Sequence, residues 1–516
     1  VKCDLVKILC LLLLAGICSP AAAQVFNLRV DLQGTVNNSG TAWSVEIDSD
    51  GNYIVFCNGN YYSDTSSLGS LVRSLAVGST GAVYAEEPVS DTLRSTYPGW
   101  SNSSDKLSQG GFVVGGSSFR SDTSGNSIQR PVLYLFNNSG TLESQYVVGP
   151  ENEEWIGRQA KQSPDGGFVL CGETSSNGGA QLDAFVIKTD ALGNEEWMET
   201  YGGIWNDEMV SVHPDPLGMH YFTGGRRRIS SGNPQFWVQC LNDTGAVVWE
   251  KLWGSGFSES NSNVTLAQNG DLLVAGGWAY SNFALVRRYL ARLDPTDGSF
   301  IWQREYGEQT SDAALQVVKE VLPGTDLISV GSMAAPFVQN FGTLLRTTST
   351  GDSLWMRHYQ YQDSLVSNGR GILRDVMPTL DGGFVAVGSA FSVPGVYTQD
   401  VWVIKVDSMG CLEPGCHLLT GIETQVTNLK GALTVAPNPV RSGEAVQVSI
   451  SLPPSIMPQR PLRLTVVSSE GRVVQEQHIT PHSSLITLHT SFTPGLYHLH
   501  LSDGARWLAG AKVVVE

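Results

Sequence analysis

The chain has 516 residues, enough for two to four ordinary domains or for one large repeat domain with a small companion. With 41% hydrophobic residues, 56 glycines and only 16% charged residues it is turn-rich and charge-poor, which favours an all-β fold over a helical one. A formal net charge of −17 argues against a nucleic-acid partner, because phosphate binding needs a basic surface.

Residues 1–23 have the order of a secretory signal peptide. Lys2 and Lys7 form a short basic start, ILCLLLLAGI is an apolar run too short to span a bilayer, and AAAQ places cleavage between Ala23 and Gln24. No transmembrane segment is expected once this leader is removed. Of the eight cysteines, Cys3, Cys10 and Cys18 belong to the leader. Cys411 and Cys416, across CLEPGC, are close enough in sequence to form a small disulfide loop in an oxidising compartment. Cys57, Cys171 and Cys240 sit in apolar strand segments, where a free cysteine behaves as a small hydrophobe.

From residue 24 the chain repeats. Aligned on one turn glycine, the units centre on Gly51 (SDGNYIVF), Gly110 (SQGGFVVGG), Gly166 (PDGGFVLCG), Gly218 (PLGMHYFTGG), Gly270 (QNGDLLVAGG), Gly324 (LPGTDLISVG) and Gly382 (LDGGFVAVG), at steps of 59, 56, 52, 52, 54 and 58 residues. Such a period marks a stacked or radial array. A second pattern follows in four units: Gly193, Trp197 and Tyr201; Gly245, Trp249 and Trp253; Gly298, Trp302 and Tyr306; Gly351, Trp355 and Tyr359. Strand positions four apart share a face, so both rings of a set point the same way. Four short strands per unit make one propeller blade, and radial closure removes the exposed edges that an open stack would leave.

The ends of the array carry the trace of closure. The seventh unit, DVWVIKVDSMG, lacks a Trp and Tyr strand, and VFNLRVDLQG, with Phe26 and Val30 four apart, supplies a strand with nothing before it. This strand is expected to complete the seventh blade and pair near Trp402. The repeated aromatics are read as core rather than as a carbohydrate platform, and the recurrent cations Lys188, Arg292, Arg346 and Lys405 as structural charges. Over residues 25–410 the repeats resemble a family of bacterial β-propeller sequences whose blades carry DGGF and GNxxW signatures, a resemblance that implies a fold and leaves the activity open.

Beyond CLEPGC the rhythm changes to seven short alternating segments: ALTVAPNPV, AVQVSIS, LRLTVVS, GRVVQEQHI, SLITLHT, GLYHLHLS and RWLAGAKVVV. They read as a small immunoglobulin-like β-sandwich. Residues 432–516 carry six basic and five acidic side chains, so the acidity belongs to the rest of the chain. The segment resembles the C-terminal sorting domain of type IX secretion, the outer-membrane export route of Bacteroidota. The resemblance rests on APNP (Pro437, Asn438, Pro439), SSEGRVV (Gly471, Arg472), TPGLYHLHL (Gly495, Tyr497) and KVVV (Lys512). It departs from the usual pattern in having Ala436 where an aromatic is common and VVSSEG where VYDxxG is usual. It implies that the type IX machinery is a partner, and that the protein is released or attached at the cell surface.

The expected division is a signal peptide (1–23), a seven-bladed β-propeller (24–410), a linker (411–431) and a sorting β-sandwich (432–516). Little chemistry stands out: there is no HExxH, GxSxG, Walker loop or paired-cysteine metal spacing. SPDGGF and TLDGGF resemble the Asp-box turns of sialidase-like propellers without their terminal aromatic, and GGRRRIS (Arg226, Arg227, Arg228) reads as a solvated loop. His498 and His500 share one strand face, also read as solvated. No cofactor is expected, with one opening for calcium at Asp48, Asp50 and Asn52, whose oxygens alternate as in a calcium loop but without the glycine and distal Glu of an EF-hand. The expected function is non-catalytic binding of a glycan or protein through loops on one face; a polysaccharide hydrolase or lyase, or an adhesive surface protein, are the alternatives. The loops around Asn60 to Leu71, Asp91 to Asp105 and Gln360 to Arg370 are the first places to look.

Overall fold

The computed structural model describes residues 25–32, 40–62, 68–89, 95–121, 124–175, 182–228, 233–281, 285–310, 313–335, 339–362, 370–391, 399–413, 416, 425–429, 431–452, 462–469, 472–480, 484–502 and 507–516. The signal-cleavage pair Ala23 and Gln24 and the motif residue Gly471 lie outside these. The described chain is all-β, built largely of four-stranded antiparallel sheets. None of its helices is long and apolar enough to cross a membrane.

One sheet stands for the rest. Strands Trp155–Gln162, Phe168–Thr174, Asp183–Thr189 and Glu195–Tyr201 pair in chain order, each antiparallel to the last. The second strand is buried throughout and the third almost so, because neighbouring sheets cover both their faces; hence the unbroken apolar runs FVLCG and AFVI. The fourth strand exposes charged residues around its aromatics. Sheets of the same order span 40–88, 208–253 and 260–310, and four more antiparallel strands lie within 315–362. In the sheet spanning 96–147 the first strand is split in two, Thr96–Pro98 and Ser104–Lys106, both paired with Phe112–Ser121. The turn glycines Gly51, Gly110, Gly166, Gly218, Gly270 and Gly382 have positive φ, as tight hairpin turns demand; Gly324 does not. Of the anticipated loop from Asn60 to Leu71, strands Tyr53–Tyr62 and Leu68–Val77 occupy all but 63–67.

The first strands of successive sheets lie side by side and hydrogen-bond to one another. The Gln162 amide donates to Asp105 Oδ2 (3.0 Å), Val212 N to Gln159 Oε1 (2.7 Å), Val264 N to Ser211 Oγ (2.8 Å) and Thr265 Oγ1 to Val318 O (2.7 Å). Val45 N donates to Asp375 Oδ2 (3.0 Å), which joins the first sheet to the last. The last sheet has strands Arg370–Pro378, Phe384–Phe391 and Gln399–Val406, and its outer strand is Phe26–Val30 from the opposite end of the chain, with Phe26 opposite Lys405 and Arg29 opposite Trp402. The array is thus propeller-like and held shut by its two ends.

A repeated contact locks four of the sheets to the next. Trp197, Trp249, Trp302 and Trp355, on outer strands, lie over the turn glycines of the following sheet: a Cβ at Gly245, Gly298, Gly351 or Gly410 would come within 2.8–3.0 Å of those indoles. The hydroxyls of Tyr201, Tyr306 and Tyr359 donate to the carbonyls of Gly245, Gly351 and Gly410, each at 2.7 Å. The aromatics are therefore packing residues with a defined partner. The recurrent cations are structural as well, each paired with an acid at the preceding hairpin turn: Lys188 with Asp165 (2.7 Å), Arg292 with Asp271 (2.6 Å), Arg346 with Asp326 (2.8 Å) and Lys405 with Asp381 (2.9 Å).

The C-terminal part is β-sandwich-like. Strands Leu433–Ala436, Ala445–Ile450 and Leu485–His489 form one sheet; Leu462–Ser468, Val473–Ile479, Gly495–Ser502 and Trp507–Val515 belong to the other. Between them lies a core that includes Val446, Val448, Leu464, Val466, Leu488, Leu499, Leu501 and Val513. Within the anticipated linker, residues 425–429 form a strand that pairs in parallel with Ser353–Gln362 and meets Trp507–Val515 at Val426 and Trp507.

Candidate functional site

The first strands share a feature at one level. Each of six has a β-bulge at the same place, setting Trp43, Arg158, Val210, Asn261, Gln316 and Arg374 out of the ladder. An extra residue re-aims its side chain without disturbing the pairing on either side. The bulged positions therefore form a level of their own.

In the sheet spanning 96–147 the bulge grows into a plug. Gly99–Ser103 leaves the ladder and crosses the axis: Trp100 N donates to Arg158 O (3.1 Å), Asn102 N to Trp43 O (3.2 Å) and Ser101 Oγ to Gln316 Oε1 (3.3 Å), while Asn263 Nδ2 donates to Ser101 O (3.4 Å) and Gln159 Nε2 to Asn102 O (2.8 Å). Five residues thus touch sheets on several sides of the ring. The path needs Gly99, where a Cβ would stand 1.6 Å from Arg158 O, and Asn102, whose φ of 60° is the single positive value at a non-glycine among the described residues. Asn102 Nδ2, Ser103 Oγ and Asn263 Oδ1 are buried without a protein partner. Orphaned polar atoms in a native core call for water or a ligand.

Above the plug lies a cavity of about 310 Å³, lined by Trp43, Trp100, Ser101, Val210, Arg226, Asn263, Gln316 and Arg374. The Arg374 guanidinium stacks over the Trp43 ring at 4.0 Å and that of Arg158 over Trp100 at 3.8 Å. Arg158 is paired with Glu173, and Arg226 with Glu208 and, at 3.1 Å, with Glu259 O. Arg374 differs: among the described residues no carboxylate pairs with it, and burial alone pulls its pKa down to about 10. The adjacent Asp375 is engaged elsewhere, by Lys319 (3.0 Å), Ser44 Oγ (3.0 Å) and Val45 N. A cation–π contact of ~0.5–2 kcal/mol is the main visible compensation. A larger cavity of about 540 Å³, at the turn face between the sheets spanning 208–253 and 260–310, is walled mainly by Phe222, Val248, Trp249, Leu266 and Leu217 and gathers no comparable set of charges.

No protein-family profile matches the chain, and no curated protein is similar to it in sequence. Among solved structures it is similar to a chain of the crystal structure of BBS1N in complex with ARL6DN, at 11% identity and a TM-score of 0.39, over 74% of this chain and 97% of that one. It is also similar to the sucrose-6-phosphate hydrolase of Lactobacillus gasseri, at 11% identity and a TM-score of 0.34, over 100% of this chain and 92% of that one. Likenesses this distant say nothing about activity.

The residues singled out from sequence fall in several places. Cys411 and Cys416 are joined by a disulfide. Asn438 bridges to the last strand, donating to Lys512 O (2.8 Å) and accepting from Val514 N (2.9 Å), so the APNP and KVVV motifs meet; Pro437 and Pro439 flank it. Tyr497 donates to Thr493 O (2.7 Å), Gly495 opens its strand, and Arg472 closes a hairpin onto Ser468. Asp48 accepts from the amides of Asp50 and Asn52 (both 2.8 Å) and from Asn52 Nδ2 (2.9 Å), so both its carboxylate oxygens serve the turn. Among the described residues no group of three or more His, Cys, Asp or Glu could hold a metal. Two readings are corrected. His498 and His500 are buried, at 4% and 0% exposure, and His498 Nδ1 lies 3.3 Å from Oε2 of Glu413 in the linker. Arg226 and Arg227 sit on strand His220–Arg227, half-buried, with only Arg228 exposed.

Proposed function

We propose that the protein is an exported, non-catalytic binding protein: a seven-bladed β-propeller that takes the end of a ligand into the cavity above the plug, followed by an immunoglobulin-like sorting domain. The observation that carries the binding reading is the plug itself. Gly99–Ser103 breaks the repeat once, at a place where closure does not require it, and turns an axial channel into a blind cavity floored by Trp100 and Ser101. Its lining supplies rings, amides and guanidinium groups, which suit recognition, whereas no acid side chain lines it to act as a general acid or base. The blade number is supported by the repeat glycines and by the strand orders. Export and type IX sorting are supported by the leader and by the APNP, GLY and KVVV motifs.

Glycan and peptide arrays probed with residues 24–516, beside the same chain carrying Trp43→Ala, test the site. Binding lost in the variant and no release of reducing sugar are expected; binding indifferent to Trp43, or turnover that follows the purified protein, contradicts the reading. For sorting, deletion of residues 432–516 in a type IX-competent host should leave the protein in the periplasm.

A further inference from the structure

We propose that the cavity recognises a carboxylate-bearing sugar at the end of a chain, the carboxylate pairing with Arg374 and the hydroxyls with the amide and hydroxyl groups of the plug and its neighbours. This rests on the binding reading above and names its ligand class.

The argument begins with charge. The chain is strongly acidic, and the arginines beside Arg374 are matched: Arg226 by Glu208, Arg158 by Glu173. Of the two arginines that line the cavity, Arg226 has an acid partner and Arg374 has none among the described residues, and Arg374 Nε is buried without a partner. A guanidinium presents a rigid fork that suits a planar oxyanion, and stacking on Trp43 at 4.0 Å fixes that fork in one orientation. One unmatched positive charge fits a monovalent carboxylate better than a dianionic phosphate.

Shape and polarity supply the rest. At about 310 Å³ the cavity is at the lower end of the range for small-molecule sites, roughly 300–1,000 Å³. The plug closes its floor, so a polymer cannot thread through and only a terminal residue enters. Asn263, which lines the cavity, has a buried acceptor, Oδ1, that needs a donor. A carboxylate has no proton to give Asn263, but a sugar acid brings hydroxyls as well. The same reasoning disfavours a peptide C-terminus, whose carboxylate comes without a set of neighbouring hydroxyls.

Calorimetry on residues 24–516 with galacturonic acid, glucuronic acid, galactose and N-acetylglycine separates these terms. At least one uronic acid should bind ten or more times tighter than galactose and N-acetylglycine. Arg374→Gln should weaken uronate binding at least tenfold and galactose binding far less, with Arg374→Lys in between and all melting temperatures alike. Equal binding of uronic acids and galactose would overturn the acid requirement while leaving the cavity as a binding site. N-acetylglycine binding as tightly as the uronic acids would overturn the sugar requirement. Binding of none of the four overturns the proposal, and the array comparison with Trp43→Ala still decides the binding reading separately. The wild-type comparison needs no variant, so a misfolded Arg374→Gln does not shield the idea.

Discussion

Phe26 lies against the turn of Gly81, where a Cβ would stand 2.9 Å from its ring. The outer strand of the last sheet thereby makes with the first sheet the contact that Trp197 makes with Gly245. The residue that closes the ring comes from the opposite end of the chain to the strand it pairs with, yet repeats the internal device.

Loss of this contact should loosen the whole array. Phe26 is only half-buried, so Phe26→Ala should cost about 2 kcal/mol, below the ~3–5 kcal/mol of a fully buried phenylalanine. Arg29→Ala should cost more than its position suggests, because it leaves Asp400, which is 1% exposed, without its ion partner. Chemical denaturation of residues 24–516 measures both.

The tyrosine clasps make a second test. Tyr359→Phe removes the donor to the buried carbonyl of Gly410 and should cost about 1–2 kcal/mol. Gly351→Ala should be worse, since φ of 83° is strained for alanine and its Cβ would lie 3.0 Å from the Trp302 ring. A Gly351→Ala protein as stable as wild type would remove the clasp from the account.

Acid sensitivity should trace in part to two buried histidines. Burial, followed by the charges of Arg288 and Arg357, brings His358 down to about 3, and burial with Lys161 and Lys319 holds His213 well below its ordinary value. In the unfolded chain both take up protons near pH 6.5, whereas the folded protein refuses them down to about pH 3 at His358. Stability from this source is therefore complete above pH 6.5 and falls with pH by about 1.4 kcal/mol per unit for each histidine. His358→Gln, which loses the bond to Thr343 Oγ1 (3.0 Å), should be about 1 kcal/mol less stable at pH 7.5 and more stable than wild type by about pH 5.

Thiol chemistry should be silent in the native state. Cys57, Cys171 and Cys240 are buried, and desolvation raises all three, Cys240 to about 11. A thiol reagent at pH 8 should label none of them until denaturant is added.

The fold was legible because repetition amplifies weak signals. One DGGF segment is an ordinary strand, but the same turn at a steady period, with an aromatic four residues from the next, implies a closed array. The partner of each tryptophan was not legible, since a glycine in the next unit is three-dimensional information. The cavity was harder still. Trp43, Val210, Gln316 and Arg374 share no residue type and no motif, and only the bulges put them on one level. Asp91 to Asp105 reads from sequence as one of the long loops where binding is expected, but nothing in GWSNS announces that it crosses the axis. The burial of the histidines of LYHLHL is not legible, because alternation names a face without saying what covers it.

The short strand 425–429 has a bearing on how the two parts can be separated. It lies along the outer strand Ser353–Gln362, whose free backbone groups would otherwise be open to pairing with any passing chain. A cut upstream of Gln425 strips that shield and leaves a template for aggregation. A cut downstream of Leu429 leaves the released ring sealed by a strip of its own former tether.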